Sequence, residues 1–184
     1  MIGVDVDGNG LREQRGVVPH LVRCYLPHLP FRPGSIDLAV FYFTLHEVDP
    51  SLHLDVLFST RRVARKVMVV EPSPEGCEAY RLYARIWREA MHSIGRFEDY
   101  KPESYWRGLV ERSDFEVITS KRVSWRAPIP PSVLEDMVRS TIEEWRRLSV
   151  DDRYIREMKD FLEYARSHGM VWSDNIVVVG VAKR

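Results

Sequence analysis

Hydrophobic and polar positions along the 184-residue chain change their period several times, and each change marks an element. Ile2-Gly3-Val4-Asp5-Val6 reads as a short strand stopped by the turn formers Asp7, Gly8, Asn9 and Gly10. Residues 11–20 are polar and predict one weak helix, then an extended stretch around Leu21 to Tyr25. Leu26 to Ser35 holds three prolines and a glycine, which predict a loop. Ile36 to Thr44 is almost continuously apolar, the pattern of a strand buried on both faces of a parallel sheet.

Asp49 and Pro50 supply a cap and a first-turn proline, and Leu54, Leu57, Phe58 and Val63 continue a helical period over about 51–64. Lys66 to Pro72 predicts a second buried strand. From Glu75 to about Ile94, Tyr80, Tyr83, Ala84, Trp87 and Met91 share one helical face. A short helix over 102–112 follows, then a strand from Phe115 to Trp125 with one exposed side. Prolines 128, 130 and 131 end it, ahead of two amphipathic helices at about 132–147 and 151–167. Gly169 takes the C-cap position, and Asn175 to Ala182 is a last apolar strand. This order predicts a single α/β sandwich domain over residues 1–184, with a mostly parallel sheet and a late helical insertion at 127–168.

Charge narrows the range of partners. The chain has 27 basic and 27 acidic residues, which removes the simplest argument for nucleic acid or an anionic membrane. The apolar run at 36–45 is about half the roughly 20 residues that a membrane helix needs. No signal-peptide pattern opens the sequence, so a cytoplasmic location is expected. Cys24 and Cys77 are the only cysteines, and no ligand spacing suggests zinc, so no metal is expected. Amide side chains are limited to Asn9, Gln14 and Asn175, a composition that suits a hot-living source.

Asp5-Val-Asp7-Gly-Asn9-Gly10 fits the first half of a calcium loop, but Gly16 stands where the bidentate Glu belongs. The same run resembles the first motif of haloacid dehalogenase-type phosphotransferases, a resemblance that implies Asp5 as nucleophile and Asp7 as general acid. Asn9 replaces that family's Thr, and its later motifs are not found.

A longer match runs from Leu29-Pro-Phe-Arg-Pro-Gly-Ser-Ile-Asp-Leu-Ala-Val-Phe-Tyr-Phe-Thr44 through Leu45-His46-Glu47-Val48-Asp49-Pro50 to Val67-Met-Val-Val-Glu-Pro72. It resembles the middle of class I S-adenosylmethionine-dependent methyltransferases of the type-11, ubiquinone/menaquinone methyltransferase-like kind. The resemblance implies a Rossmann-like sandwich closed by an antiparallel hairpin of the strands at 115–125 and 175–183, with 127–168 as a helical cover. It implies that Asp5, with Val6 beside it, accepts the ribose hydroxyls of S-adenosylmethionine. It sets Tyr25 and Leu26 at the adenine, and Phe41 and Tyr42 near the sulfonium. His46 is the nearest titratable candidate for catalysis. Tyr80, Tyr83 and Trp87, with His46, would face a small-molecule acceptor, and S-adenosylhomocysteine would be the product. Each residue also has a plainer role open to it: Asp5 as a strand end, the rings as core packing and His46 as a helix start.

The family's first strand and Gly-rich turn would fall about one βα unit before residue 1 and are absent. Two expectations follow: that the natural start lies upstream, or that the chain is a non-catalytic methyltransferase-like subunit. In either case the unpaired strand edge predicts a homo-oligomer that covers it.

Overall fold

The computed structural model describes residues 1–183. Its elements follow the order β1 (Ile2–Asp5), α1 (Gly8–Glu13), β2 (His20–Arg23), β3 (Ala39–Tyr42), α2 (His53–Val63), β4 (Lys66–Pro72), α3 (Glu78–Ser93), α4 (Glu103–Arg112), β5 (Phe115–Val123), α5 (Pro131–Arg147), α6 (Asp152–His168) and β6 (Asn175–Ala182). This is a mixed α/β fold. Among the described residues no helix is long and apolar enough to cross a membrane.

The sheet is split. β1 and β2 form a two-stranded parallel sheet, while β3, β4, β6 and β5 form a four-stranded sheet in that spatial order. β3 and β4 run parallel, and β6 is antiparallel to both β4 and β5, which gives the closing hairpin expected from the sequence. Strands β4 and β6 coincide with the apolar runs that predict them, because both lie inside the sheet. β3 departs from its expectation. It is four residues long, and only Phe41 is buried, while Val40 is 53% and Tyr42 62% exposed. The strand lies at the edge of its sheet, so the apolar run does not measure burial on both faces.

The facing edges of the two sheets line a cavity of about 550 Å³, bordered by Ile2 to Val4 on one side and Leu38 to Phe41 on the other. The Cys24 amide donates to Asp5 and the Phe43 amide to Val70, so these odd-numbered main-chain groups turn toward β2 and β4. Alternation along parallel strands then directs the main-chain groups of Val4, Val40 and Tyr42 into the gap. The resemblance puts the family's first strand in this position.

Helix α1 begins earlier than its polar sequence predicts. The Asp7 carboxylate accepts the amides of Asn9 and Gly10, so the run read as a turn is a cap and first turn. That commits Asp7 to the helix end. The insertion at 127–168 becomes the pair α5 and α6, which packs on α3. Leu134, Trp145, Met158 and Phe161 bury there against Tyr83 and Ala90 in a core separate from the one around β3, β4 and β6.

Candidate functional site

The site is built where β3 ends. Phe43 has a φ of +49°, uncommon for a bulky side chain, and it turns the chain out of the strand. Glu71 at the end of β4 holds that turn. Its fully buried carboxylate accepts the amides of Thr44 (3.0 Å) and Leu45 (2.7 Å) through Oε1 and meets His46 Nδ1 at 2.5 Å through Oε2. From the other side, His53 Nε2 donates to the carbonyls of Leu45 (2.9 Å) and Val48 (3.1 Å), while its Nδ1 accepts from the Tyr105 hydroxyl. Burial lowers the His53 pKa, consistent with this neutral tautomer.

His46 lies between two carboxylates. Its Nε2 is 3.5 Å from Glu98, a buried side chain that also accepts the Tyr100 hydroxyl at 2.6 Å. Burial alone would lower the His46 pKa, but the Glu71 hydrogen bond and the charges of Glu71, Glu98 and Glu47 raise it above its ordinary value. A carboxylate thus stands near each ring nitrogen, hydrogen-bonded at Nδ1 and within ion-pair reach of Nε2, an arrangement that favours the charged form of His46. Burial also raises the pKa of Glu98.

Two cavities of about 560 Å³ each meet at this turn. The first is lined by Asp5, Val6, Tyr25 and Leu26 from the ends of β1 and β2, with Tyr42, Phe43 and Glu47 facing them. The second begins at the same Tyr42, Phe43 and Glu47 and continues past His46 to Tyr80, Tyr83 and Trp87 of α3. Tyr42 and Phe43 stack on each other at 4.5 Å and form the shared wall. In the second cavity Tyr80 donates from its hydroxyl to the Ser73 carbonyl, and burial pushes its pKa up to about 12.

The residues named from the sequence thus fall into two sets. Asp5, Val6, Tyr25, Leu26 and Tyr42 share one cavity, and Tyr42, His46, Tyr80, Tyr83 and Trp87 share its neighbour. Phe41, named with the first set, lies apart from it: its ring packs among Leu45, Val56 and Val69 beneath the sheet. Sequence reasoning missed Glu98, Tyr100, Trp125 and Trp172, which complete the second cavity. Glu98, Tyr100 and Trp172 lie in irregular segments without periodicity, and Trp125, read as the end of a strand, falls just beyond β5, so only the fold brings the four to α3. Glu71 was visible as the acidic end of a strand, although its role was not.

His46 Nε2 and the carboxylates of Glu47 and Glu98 come within 4.8 Å of one another, a donor set of the type that divalent cations accept. None of the described residues of α5 or α6 lines the second cavity; these helices back α3 from behind.

No protein-family model and no curated protein matches the chain. Solved structures do. A Bacillus halodurans protein described as a candidate methyltransferase superposes with a TM-score of 0.66 at 16% identity, over 100% of this chain and 83% of that one. The YcgJ protein of Bacillus subtilis gives 0.62 at 14% identity, over 100% and 82%. An S-adenosylmethionine-dependent methyltransferase of Methanosarcina mazei gives 0.59 at 11% identity, again over 100% and 82%. With its helices, its parallel β3–β4 pair and its antiparallel closing hairpin matched over the whole length, the chain has the Rossmann-like fold of the class I S-adenosylmethionine-dependent methyltransferases.

Proposed function

We propose that the protein is an S-adenosylmethionine-dependent methyltransferase acting on a small-molecule acceptor. The observation that carries this reading is the pair of cavities meeting at one wall, Tyr42-Phe43-Glu47, at the strand ends of a methyltransferase fold. Two molecules bound in cavities that adjoin at these residues would have their reacting ends side by side, and such positioning removes much of the entropic barrier to transfer.

The residues of the first cavity suit the cofactor. Asp5 is fixed at the end of β1, with Oδ1 accepting the Asp7 amide at 2.8 Å, and its carboxylate has lone pairs left for a vicinal diol. Val6 is 60% and Tyr25 50% exposed, apolar surface at strand ends that an adenine ring would cover. Tyr42, which lines the same cavity, would offer an aromatic ring to a sulfonium held there. The bound cofactor supplies an electrophilic methyl group. The chain's own part is to orient both molecules, to exclude water behind α3, and to hold the loop after β3 rigid through Glu71 and His53.

Ultraviolet irradiation with methyl-labelled S-adenosylmethionine, followed by peptide mapping, tests the placement. Label is expected on the peptides that carry Tyr25 or Tyr42 and Phe43. Label confined to α5 and α6, or no label above that of heat-unfolded protein, contradicts it.

A second reading is a methyltransferase-like subunit that does no chemistry. The gap between β1 and β3 supports it, because the Gly-rich cofactor turn of the resemblance would leave the strand that belongs there.

A further inference from the structure

The second cavity has an unusual charge balance. Glu71, Glu98 and Glu47 surround His46, so three carboxylates face one imidazolium. No lysine or arginine is among the described residues lining the cavity. Glu98 is only 5% exposed, and beside it stand the Tyr100 phenol, the Trp87 indole and the histidine that it shares with Glu71, of which only the histidine can carry a charge to offset its own. A buried carboxylate without a full counter-charge is costly, and a cation in the cavity would relieve that cost. The rest of the wall favours the same ligand. Tyr80, Tyr83, Trp87 and Tyr100 surround the inner end, and Trp125 and Trp172, 59% and 39% exposed, lie toward the mouth. Aromatic faces grouped around a space of about 560 Å³ attract organic cations through their quadrupoles.

Resting on the methyltransferase reading, we infer that the acceptor is an amine that enters the second cavity as an organic cation, held by its aromatic wall and by the carboxylate of Glu98. A bare divalent ion fits less well, although His46, Glu47 and Glu98 are close enough to ligate one. The hydroxyls of Tyr80 and Tyr100 are already donating to Ser73 and Glu98, and the aromatic walls offer a metal no ligands.

The transfer balances without a further reactant. The ammonium gives its proton to Glu98, whose raised pKa suits it to accept. The freed nitrogen lone pair then forms the C–N bond to the methyl carbon, while the C–S bond breaks with its electron pair passing to sulfur. The products are a methylated ammonium, still cationic, and a neutral thioether, with the proton left on Glu98.

The test compares choline with its neutral isostere 3,3-dimethyl-1-butanol, titrated against the full chain and followed by tryptophan fluorescence. Choline is expected to bind at least tenfold more tightly, with saturating S-adenosylhomocysteine leaving that preference intact. Glu98→Gln should abolish the preference, and Trp125→Leu, at the exposed mouth, should weaken choline severalfold and decides the matter if Glu98→Gln does not fold. Equal affinities, a preference that survives both substitutions, or displacement of choline by micromolar Mn²⁺ would overturn the inference. Displacement by S-adenosylhomocysteine would also overturn it, since the cavity would then hold the sulfonium. If choline is preferred but S-adenosylhomocysteine does not bind at all, the methyltransferase reading fails and the cation site remains.

Discussion

His46 shows how a single residue couples the turn after β3 to the loop at Glu98. Its carbonyl accepts the Asp99 amide at 2.8 Å, and its ring bridges Glu71 and Glu98. Its raised pKa in the folded state has a definite consequence for stability. The stabilisation is fully present below the unfolded value of about 6.5 and is lost as pH rises through the folded value. Glu98, also raised, contributes in the same direction. The gap in urea midpoint between wild type and His46→Gln should therefore be widest near about pH 6 and narrow by about pH 9. A gap that stays constant or widens contradicts the charged bridge. Asp5, Tyr25 and Tyr42 were named through the family resemblance, and the fold brings all three to one cavity. Glu98 was not, because an isolated acid in an irregular loop looks like any solvated charge until the fold buries it.

At the scale of elements, periodicity located nearly every helix and strand, and the exceptions have local causes. α1 starts early because Asp7 caps it, and β3 ends early because Phe43 leaves the extended region. The apolar run of β3 could not reveal that its neighbour on one side is absent, because hydrophobicity does not name a pairing partner. β6 is closely packed at Gly180. A Cβ placed on Gly180 would lie 2.8 Å from Val110 Cγ1 and 2.9 Å from Phe115 Cβ, closer than real side chains pack. Gly180→Ala should therefore cost about 1–3 kcal/mol in chemical denaturation, through displacement of α4 or β5. An unchanged midpoint would show that these elements yield freely. α5 and α6 act through packing as well: Phe161, 5.4 Å from Tyr83, holds α3 against the second cavity from behind.

In the molecule as a whole, the dominant feature is the gap between β1 and β3, where Val4 and Val40 line a cavity and strand alternation turns their main-chain groups into it. Unpaired strand edges of this kind invite pairing with another chain. We propose that copies of the chain cover this edge for one another, so sedimentation at micromolar concentration should show a dimer or larger species. A strictly monomeric profile would count against that arrangement. The α/β class was readable from element order, because alternating apolar runs and amphipathic helices leave few ways to bury both; the closing hairpin was implied by the family resemblance, since element order alone pointed to a mostly parallel sheet, whereas β6 is antiparallel to both its neighbours. The division into two sheets was not readable, since hydrophobic pattern marks strands without saying which of them pair. What matters most for function is whether the cavity between Asp5 and Tyr42 takes the cofactor despite that gap. Calorimetric titration of the full chain with S-adenosylhomocysteine answers this directly. The predicted result is saturable binding that Asp5→Ala weakens at least tenfold, about 1.4 kcal/mol; equal binding by both proteins, or none by wild type, would contradict it.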